Sequence, residues 1–268
     1  MSWIRESTLS CLQTCAIKVI KSGQIPRHVA FIMDGNRRYA NKKQYNSFIQ
    51  GHTEGFNKLA ETLQWCLDLG VREVTVYAFS IENFKRSKEE VQELMTLAEN
   101  KFKKLLDERE KLMKHGVRIC VVGNMSLIPE NLRKLMDEAM LITKDNSKAL
   151  LNVAFAYTSR DEIVETIKSL AQKVDTSQLL PEEIDEKLFA QNMYTCESAD
   201  PDLIIRTSGE VRFSDFLLWQ FSYSYIYFSK AFWPEFSVWD FLKAIFYYQR
   251  NCDELQRLKC YSELSNKV

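Results

Sequence analysis

The stretch His28-Val29-Ala30-Phe31-Ile32-Met33-Asp34-Gly35-Asn36-Arg37-Arg38 begins as an apolar, β-favouring run and breaks off at an acid, two residues tolerant of unusual backbone angles, and two arginines. Its apolar half recurs along the chain: Glu73–Phe79, Val117–Val122, Leu150–Ala156 and Asp202–Ile205 read as strands, and Tyr225–Phe228 makes a sixth candidate. Longer segments of helical period lie between them. Phe56, Leu59, Ala60, Leu63 and Leu67 share one face, which Gly70 is placed to close. Val91, Leu94, Met95, Ala98, Phe102, Leu105, Arg109 and Leu112 carry a single long stripe to His115–Gly116. Further helices are expected over 130–143, 160–173 and 182–193, and a last one after Pro234. The alternation predicts an α/β fold: a single domain with a central, mostly parallel β-sheet of about six strands flanked by helices. No linker, low-complexity tract or internal repeat divides it.

The 268 residues are 46% hydrophobic and 27% charged, enough for one large core. Lys plus Arg and Asp plus Glu both total 36, so bulk charge gives no reason to expect nucleic acid as a partner, and any anion site must be local. Seven cysteines without a C-x-x-C pair read as reduced thiols, and three dispersed histidines (His28, His52, His115) do not make a histidine-rich metal centre. A hard cation held by carboxylate and phosphate oxygens remains open. No run approaches the roughly 18 apolar residues of a spanning helix. Residues 1–22 are different in character: Trp3, Ile4, Leu9, Leu12, Ala16, Ile17, Val19 and Ile20 fall broadly at helical spacing, with no continuous apolar core or cleavage site of a signal peptide. They read either as a helix packed on the domain or as an amphipathic segment touching a membrane surface.

Ligands of open parallel sheets sit beyond the carboxyl ends of the strands. Here those ends are polar: Asp34 to Arg38, Ser80 to Arg86, Gly123-Asn124, Tyr157 to Arg160, and Arg206 to Glu210. The first is a small basket for a metal diphosphate, with Asp34 for the cation and Arg37 and Arg38 for phosphate oxygens, though a plain strand-to-helix turn has similar composition. In the second, Ser87 with Glu90 also forms a possible capping box. Arg206-Thr207-Ser208-Gly209, followed by Arg212 and Ser214, suits a second anionic group, because charge-assisted hydrogen bonds contribute roughly 1.5–3 kcal/mol each. Three anion-suited loops at three strand ends weaken the reading of any one of them as mere surface.

Residues 28–38, with Gly51-His52, Phe79 to Arg86, Ile205 to Glu210 and Asp215-Phe216-Leu217-Leu218-Trp219-Gln220, together resemble the cis-prenyltransferases. The likeness runs over about residues 24–245 and is greatest to the eukaryotic catalytic subunits that make dehydrodolichyl diphosphate. The resemblance implies a Mg²⁺-dependent transferase that adds isopentenyl diphosphate repeatedly to farnesyl diphosphate, with a hydrophobic product tunnel flanked by helices at 55–69 and 88–114. It implies that Asp34 binds the metal and assists departure of the allylic diphosphate, which Gly35, Arg37 and Arg38 hold. Asn83 resembles the residue tied to proton removal. Arg86, Arg206, Arg212 and Ser214 would grip isopentenyl diphosphate, Glu90 would steady that network, and Asn36, His52, Phe79, Ser80 and Phe84 complete the substrate-binding set. No Asp-Asp pair occurs, which disfavours the D-D-x-x-D chemistry of trans-type synthases.

The sequence also departs from the family. Phe48 stands where bacterial homodimers carry an arginine, Val211 replaces a histidine, and Tyr225 replaces a metal-linked glutamate. Ser262 to Val268 has no Arg-x-Gly motif. The resemblance therefore implies a partner like the Nogo-B receptor that supplies the motif, docking on the aromatic segment Phe213 to Tyr248, which otherwise reads as core. It also implies peripheral attachment to the cytosolic face of the endoplasmic reticulum, for dolichol and protein glycosylation. The expected division is 1–22 as the amphipathic segment, 23–250 as the catalytic domain and 251–268 as a tail. A non-catalytic scaffold of the same complex is the rival reading, and it would be expected to lack several of Asp34, Asn83 and Arg86. A phosphatase-like phosphate-binding domain is weaker still, for want of a nucleophile at a strand end.

Overall fold

Short apolar segments cannot satisfy their backbone groups alone, and here they do so by pairing into one sheet. The computed structural model describes residues 9–265. Its strands are β1 His28–Ile32, β2 Glu73–Ser80, β3 Val117–Val122, β4 Ala149–Tyr157, β5 Leu203–Arg206 and β6 Tyr225–Phe228. They form a six-stranded sheet in the order β3-β4-β2-β1-β5-β6, every neighbouring pair parallel. The expected strands are all present, none with an end displaced by more than one residue, and β3 and β6 match at both ends.

Parallel neighbours require crossovers; helices supply all of these except the one from β5 to β6 over 207–224, and two further helices precede β1 and follow β6. The helices are α1 Cys11–Lys21, α2 Asn36–Lys42, α3 Phe48–Leu69, α4 Lys88–Asp107, α5 Arg109–His115, α6 Glu130–Thr143, α7 Ser159–Asp175, α8 Glu186–Gln191 and α9 Val238–Ser265. Strand side chains alternate between faces. Val29, Phe31, Val76 and Val153 enter a large core with Leu59, Met95, Phe102, Met136 and Phe241, whereas Ala30, Ile32, Tyr77 and Tyr157 meet Phe216 and Leu217 on the other side. Phe31 is the hub of the first core, with Trp233, Phe236 and Phe241 rings 5.8–6.4 Å away.

Several boundaries differ from expectation. Asn36-Arg37-Arg38 is not loop but the first turn of α2. The long stripe after Val91 is two helices broken at Glu108 (φ −99°, ψ 21°), which a periodic pattern reads through because Leu105 and Leu112 are buried on both sides of the break. Of 182–193 only Glu186–Gln191 is α-helical, after a 3₁₀ turn at Pro181–Glu183. Ser87 caps α4, but Glu90 does not complete a capping box because its carboxylate is drawn to Arg86. Helix α9 runs unbroken through residue 250, so the expected tail begins inside a helix.

In the amino-terminal segment, α1 packs against α3 and α9, burying Ile17 while Leu12 and Val19 stay 70% exposed. Trp3 and Ile4 lie outside the described residues, as does the end of the segment from Ser262 to Val268.

Gly123 closes β3 with φ 144°, and a Cβ there would lie 2.0 Å from the Phe155 carbonyl oxygen. Left-handed strain and overpacking add, so Gly123→Ala is expected to lower unfolding stability by about 3 kcal/mol or more. Urea denaturation checks this, and a loss under about 1 kcal/mol would refute the close approach.

Candidate active site

The strand order reverses at β1, which has β2 on one side and β5 on the other, and a crevice at such a switch point is the usual ligand site of an open α/β sheet. Ile32 and Arg206 are in register there. Two residues past Ile32, the chain turns and Asp34 Oδ2 accepts a hydrogen bond from Arg206 Nη2 at 2.8 Å. Its other oxygen accepts from the Gly35 N–H at 2.7 Å, with Arg38 3.7 Å away. The turn is pinned through its backbone. Thr207 Oγ1 lies 2.9 Å from the Asp34 nitrogen and 2.8 Å from its carbonyl oxygen, which also accepts from the Trp233 N–H at 2.9 Å. Gly35 has φ 102° and no room for a Cβ, which would fall 2.9 Å from Phe232 and Ser208.

Arg206 is 3% exposed and is satisfied locally. Its Nη1 donates to Ser214 Oγ at 2.8 Å and to the Arg212 carbonyl, while Nε finds no protein acceptor among the described residues. Burial raises the pKa of Asp34, but the Arg206 hydrogen bond and charge, the Gly35 N–H and Arg38 outweigh it, so the net direction is down. The carboxylate is ionised at neutral pH.

Around this pair the rim holds arginines in place with carboxylates. Arg38 reaches Glu210 at 2.9 Å and the Ser208 hydroxyl, and lies over the Phe232 ring. Arg86 reaches Glu90 at 2.9 Å, with Arg37 3.9 Å from the same carboxylate, and Arg212 pairs with Glu210. His52 is partly buried, and among the described residues its Nε2 has no protein partner. Burial, then Arg86 and Arg37, push its pKa down to about 4, so the ring is neutral. Asn83 accepts the Ser80 N–H at 3.0 Å. A backbone donor must face the amide oxygen, so Asn83 offers its NH₂ group to the cavity.

That cavity measures about 1140 Å³. Eight cationic side chains and four carboxylates line it, in a chain whose formal charge is zero. Below the rim it runs between the sheet and helices α3 and α4, where Phe56, Leu59, Leu94, Phe102 and Phe155 are apolar. Asp34, Gly35, Asn36, Arg37, Arg38, His52, Phe79, Ser80, Asn83, Arg86, Arg206, Arg212 and Ser214 all border this one cavity. Two expected members do not. Phe84 turns into the core, edge-on to Phe79 at 4.9 Å, and Glu90 acts only through Arg86 and Arg37. Among the departures, Phe48 borders the cavity, whereas Val211 is 76% exposed and Tyr225 sits at the amino end of β6, away from the rim.

The sequence gives no separate role to Glu210, Arg160 or Asp215, all of which border the cavity; Thr207, read there as part of an anion-binding loop, instead pins the cavity's edge through the Asp34 backbone. The polarity of the 157–160 strand end was the available signal for Arg160. Among the described residues no cluster of three or more His, Cys, Asp or Glu forms a metal site.

A family model described as putative undecaprenyl diphosphate synthase matches residues 32–255. The human dehydrodolichyl diphosphate synthase complex subunit DHDDS is 52% identical over 259 residues, covering 97% of this chain and 78% of the relative. A tritrans,polycis-undecaprenyl-diphosphate synthase (geranylgeranyl-diphosphate specific) of Pyrococcus horikoshii is 47% identical over 87% of this chain and 88% of its own length. The crystal structure of lavandulyl diphosphate synthase from Lavandula x intermedia, in complex with dimethylallyl diphosphate, superposes with a TM-score of 0.79 at 33% identity, covering 84% of this chain and 95% of that one. By family model, by sequence identity over most of its length and by fold, the chain that carries this arginine-rich crevice belongs to the cis-prenyltransferase family typified by undecaprenyl diphosphate synthase.

Proposed function

We propose that this chain is the catalytic subunit of a cis-prenyltransferase that condenses isopentenyl diphosphate repeatedly onto farnesyl diphosphate, giving a long polyprenyl diphosphate of the dehydrodolichyl type. One observation carries the reading: the Asp34–Arg206 pair stands on an arginine-rich rim that opens directly into an apolar cavity. The rim suits diphosphates and the cavity suits a growing isoprenoid, whose burial is worth roughly 0.8 kcal/mol per methylene. The scaffold reading has nothing in its favour, since Asp34, Asn83 and Arg86 all face the cavity.

The donor set fits Mg²⁺. Asp34 is ionised, 30% exposed, and a single carboxylate, and Mg²⁺ is commonly held by one or two carboxylates together with phosphate oxygens and water. When bound, the ion supplies charge neutralisation at the allylic diphosphate. Gly35, Arg37 and Arg38 hold that diphosphate. As its carbon–oxygen bond breaks, negative charge grows on oxygens that fixed N–H donors already face, and stabilising that charge lowers the barrier selectively. Arg86, Arg206, Arg212 and Ser214 hold isopentenyl diphosphate, whose terminal alkene carbon bonds to the allylic carbon. The proton then lost from its second carbon passes to an oxygen of the released pyrophosphate, with the Asn83 NH₂ group orienting the two anions. The neutral His52 ring completes the enclosure between Arg37 and Arg86.

Assembly and location belong to the same reading. The human relative is named as a complex subunit. We place a Nogo-B receptor-like partner, supplying an Arg-x-Gly segment, along the free edge of β6, whose half-buried Tyr225–Phe228 adjoins exposed Trp239, Phe246 and Tyr247. Among the described residues no helix is long and apolar enough to cross a membrane. Peripheral attachment at the cytosolic face of the endoplasmic reticulum, with Leu12 and Val19 of α1 toward lipid, suits a dolichol precursor used in protein glycosylation.

Three outcomes test this. With Mg²⁺, farnesyl diphosphate and labelled isopentenyl diphosphate, Asp34→Asn keeps the shape of the turn but loses about 10²-fold or more in turnover, and near-normal turnover would remove Asp34 from the reaction. The chain alone is expected to make little long product until a partner with an Arg-x-Gly segment is added; full activity and normal product length without one would refute the heteromer. For His52, the folded pKa lies below the unfolded one, so its contribution to stability is complete above pH 6.5 and is lost as pH falls toward about 4. His52→Gln should therefore flatten stability against pH across that window by on the order of 3 kcal/mol, measured by urea unfolding, and an unchanged slope would show that the ring is not buried as described.

A further inference from the structure

The carboxyl end of β4 brings to the rim an arginine for which the proposed reaction has no use. Arg160, in the first turn of α7, borders the cavity with its side chain 83% exposed. Its backbone N–H donates to Asp215 Oδ1 at 3.1 Å, and the neighbouring Ser159 N–H donates to the Asp215 carbonyl at 2.8 Å. Asp215 follows Ser214, whose hydroxyl accepts from Arg206. The start of α7 is thus stapled to the loop that sets Arg212 and Ser214 against Arg206 at the end of β5, and the Arg160 guanidinium stands beside that group, outside its bonding.

The other arginines on this side are already engaged. Arg206 holds Asp34 at 2.8 Å, Arg86 holds Glu90 at 2.9 Å, and Arg212 is paired with Glu210. Arg37 is loose too, but it stands on the Asp34 side of the crevice. Arg160 reaches its carboxylate only at 3.9 Å through Nε. A solvated contact of that kind contributes little, so it can be given up for charge-assisted bonds to a phosphate.

We propose that Arg160 is a positioning residue that captures the diphosphate of the incoming isopentenyl donor and delivers it to Arg206, Arg212 and Ser214. This rests on the reaction proposed above. The guanidinium leaves Asp215, meets the diphosphate at the cavity mouth, and returns as the anion passes inward. No bond is made or broken in that step. Because Arg160 acts in solvent, it governs encounter more than chemistry, and its effect is screened by salt.

The test uses the complex with its partner subunit, at low and at high ionic strength. Arg160→Gln is expected to raise KM for isopentenyl diphosphate about 3- to 10-fold at low salt, with KM for farnesyl diphosphate and kcat little changed. The difference should shrink at high salt, and Arg160→Lys should restore most of it. A wild-type KM in Arg160→Gln at low salt, or an equal loss in both substrates that lysine does not rescue, would overturn the proposal. Calorimetric binding of inorganic pyrophosphate gives a second measure that needs no turnover. Several-fold weaker, salt-sensitive binding in Arg160→Gln supports diphosphate capture, and unchanged binding rejects it. An absence of prenyl transfer by the wild-type complex, with pyrophosphate still bound through Arg160, would instead remove the reaction and leave the capture site.

Discussion

A buried arginine is costly unless its charge is paired and its terminal N–H donors are answered, and the site is organised around answering Arg206. Only 3% of its side chain is exposed, so taking it out of water must be offset by a carboxylate of good geometry and by further acceptors. Asp34, Ser214 and the Arg212 carbonyl do this, and in doing so they join the ends of β1 and β5 across the sheet's switch point. Thr207 secures the same junction from the backbone. The consequence is preorganisation: the ionised carboxylate and the guanidinium stand in place before any anion arrives, so little reorganisation is left for the reaction to require.

The remaining rim follows a looser version of the same rule. Several arginines crowded without counter-charges would repel one another, and Arg86 shows the strain, since burial and then its neighbour Arg37 both lower its pKa. Glu90 and Glu210 relieve this by each pairing with two of the rim arginines. The more solvated of these pairs, those of Arg37, Arg38 and Arg212, are the weak ones, whereas Arg86 and Glu90 are largely buried together. The floor below needs no such arrangement. Its walls are Leu, Phe and Val side chains from α3, α4 and the sheet, continuous with the ordinary core on that face.

Helix-ending glycines are reliable signals in this sequence, whereas an unmarked break and a capping spacing are not. Gly70 and Gly116 end their helices with positive φ, as glycine after a periodic stripe predicts. The interruption at Glu108 had no glycine or proline to mark it, and the apolar spacing continues across it. Ser87 and Glu90 have the spacing of a capping box, yet the reciprocal box forms at Ser80 and Asn83 because Glu90 has a stronger partner in Arg86. Phe84 was grouped with the substrate set from its place in a motif. An aromatic ring beside Phe79 has more to gain from the core than from the rim, and it turns inward.

The residues themselves determined that a parallel α/β sheet would form and that its carboxyl edge would carry acid, amide and arginine, because strand propensity, helical period and turn chemistry are properties of short segments. They also held the family likeness, since its motifs are local. Tertiary structure alone decided which polar ends converge. Asp34 and Arg206 are 172 positions apart in sequence and meet at 2.8 Å only because β1 and β5 are neighbours in the strand order. It likewise turned Glu90 from a cap into a brace and put Arg160 at the cavity mouth. Pairing between distant strands is set by how the whole core packs, and no stretch of chain contains that information by itself.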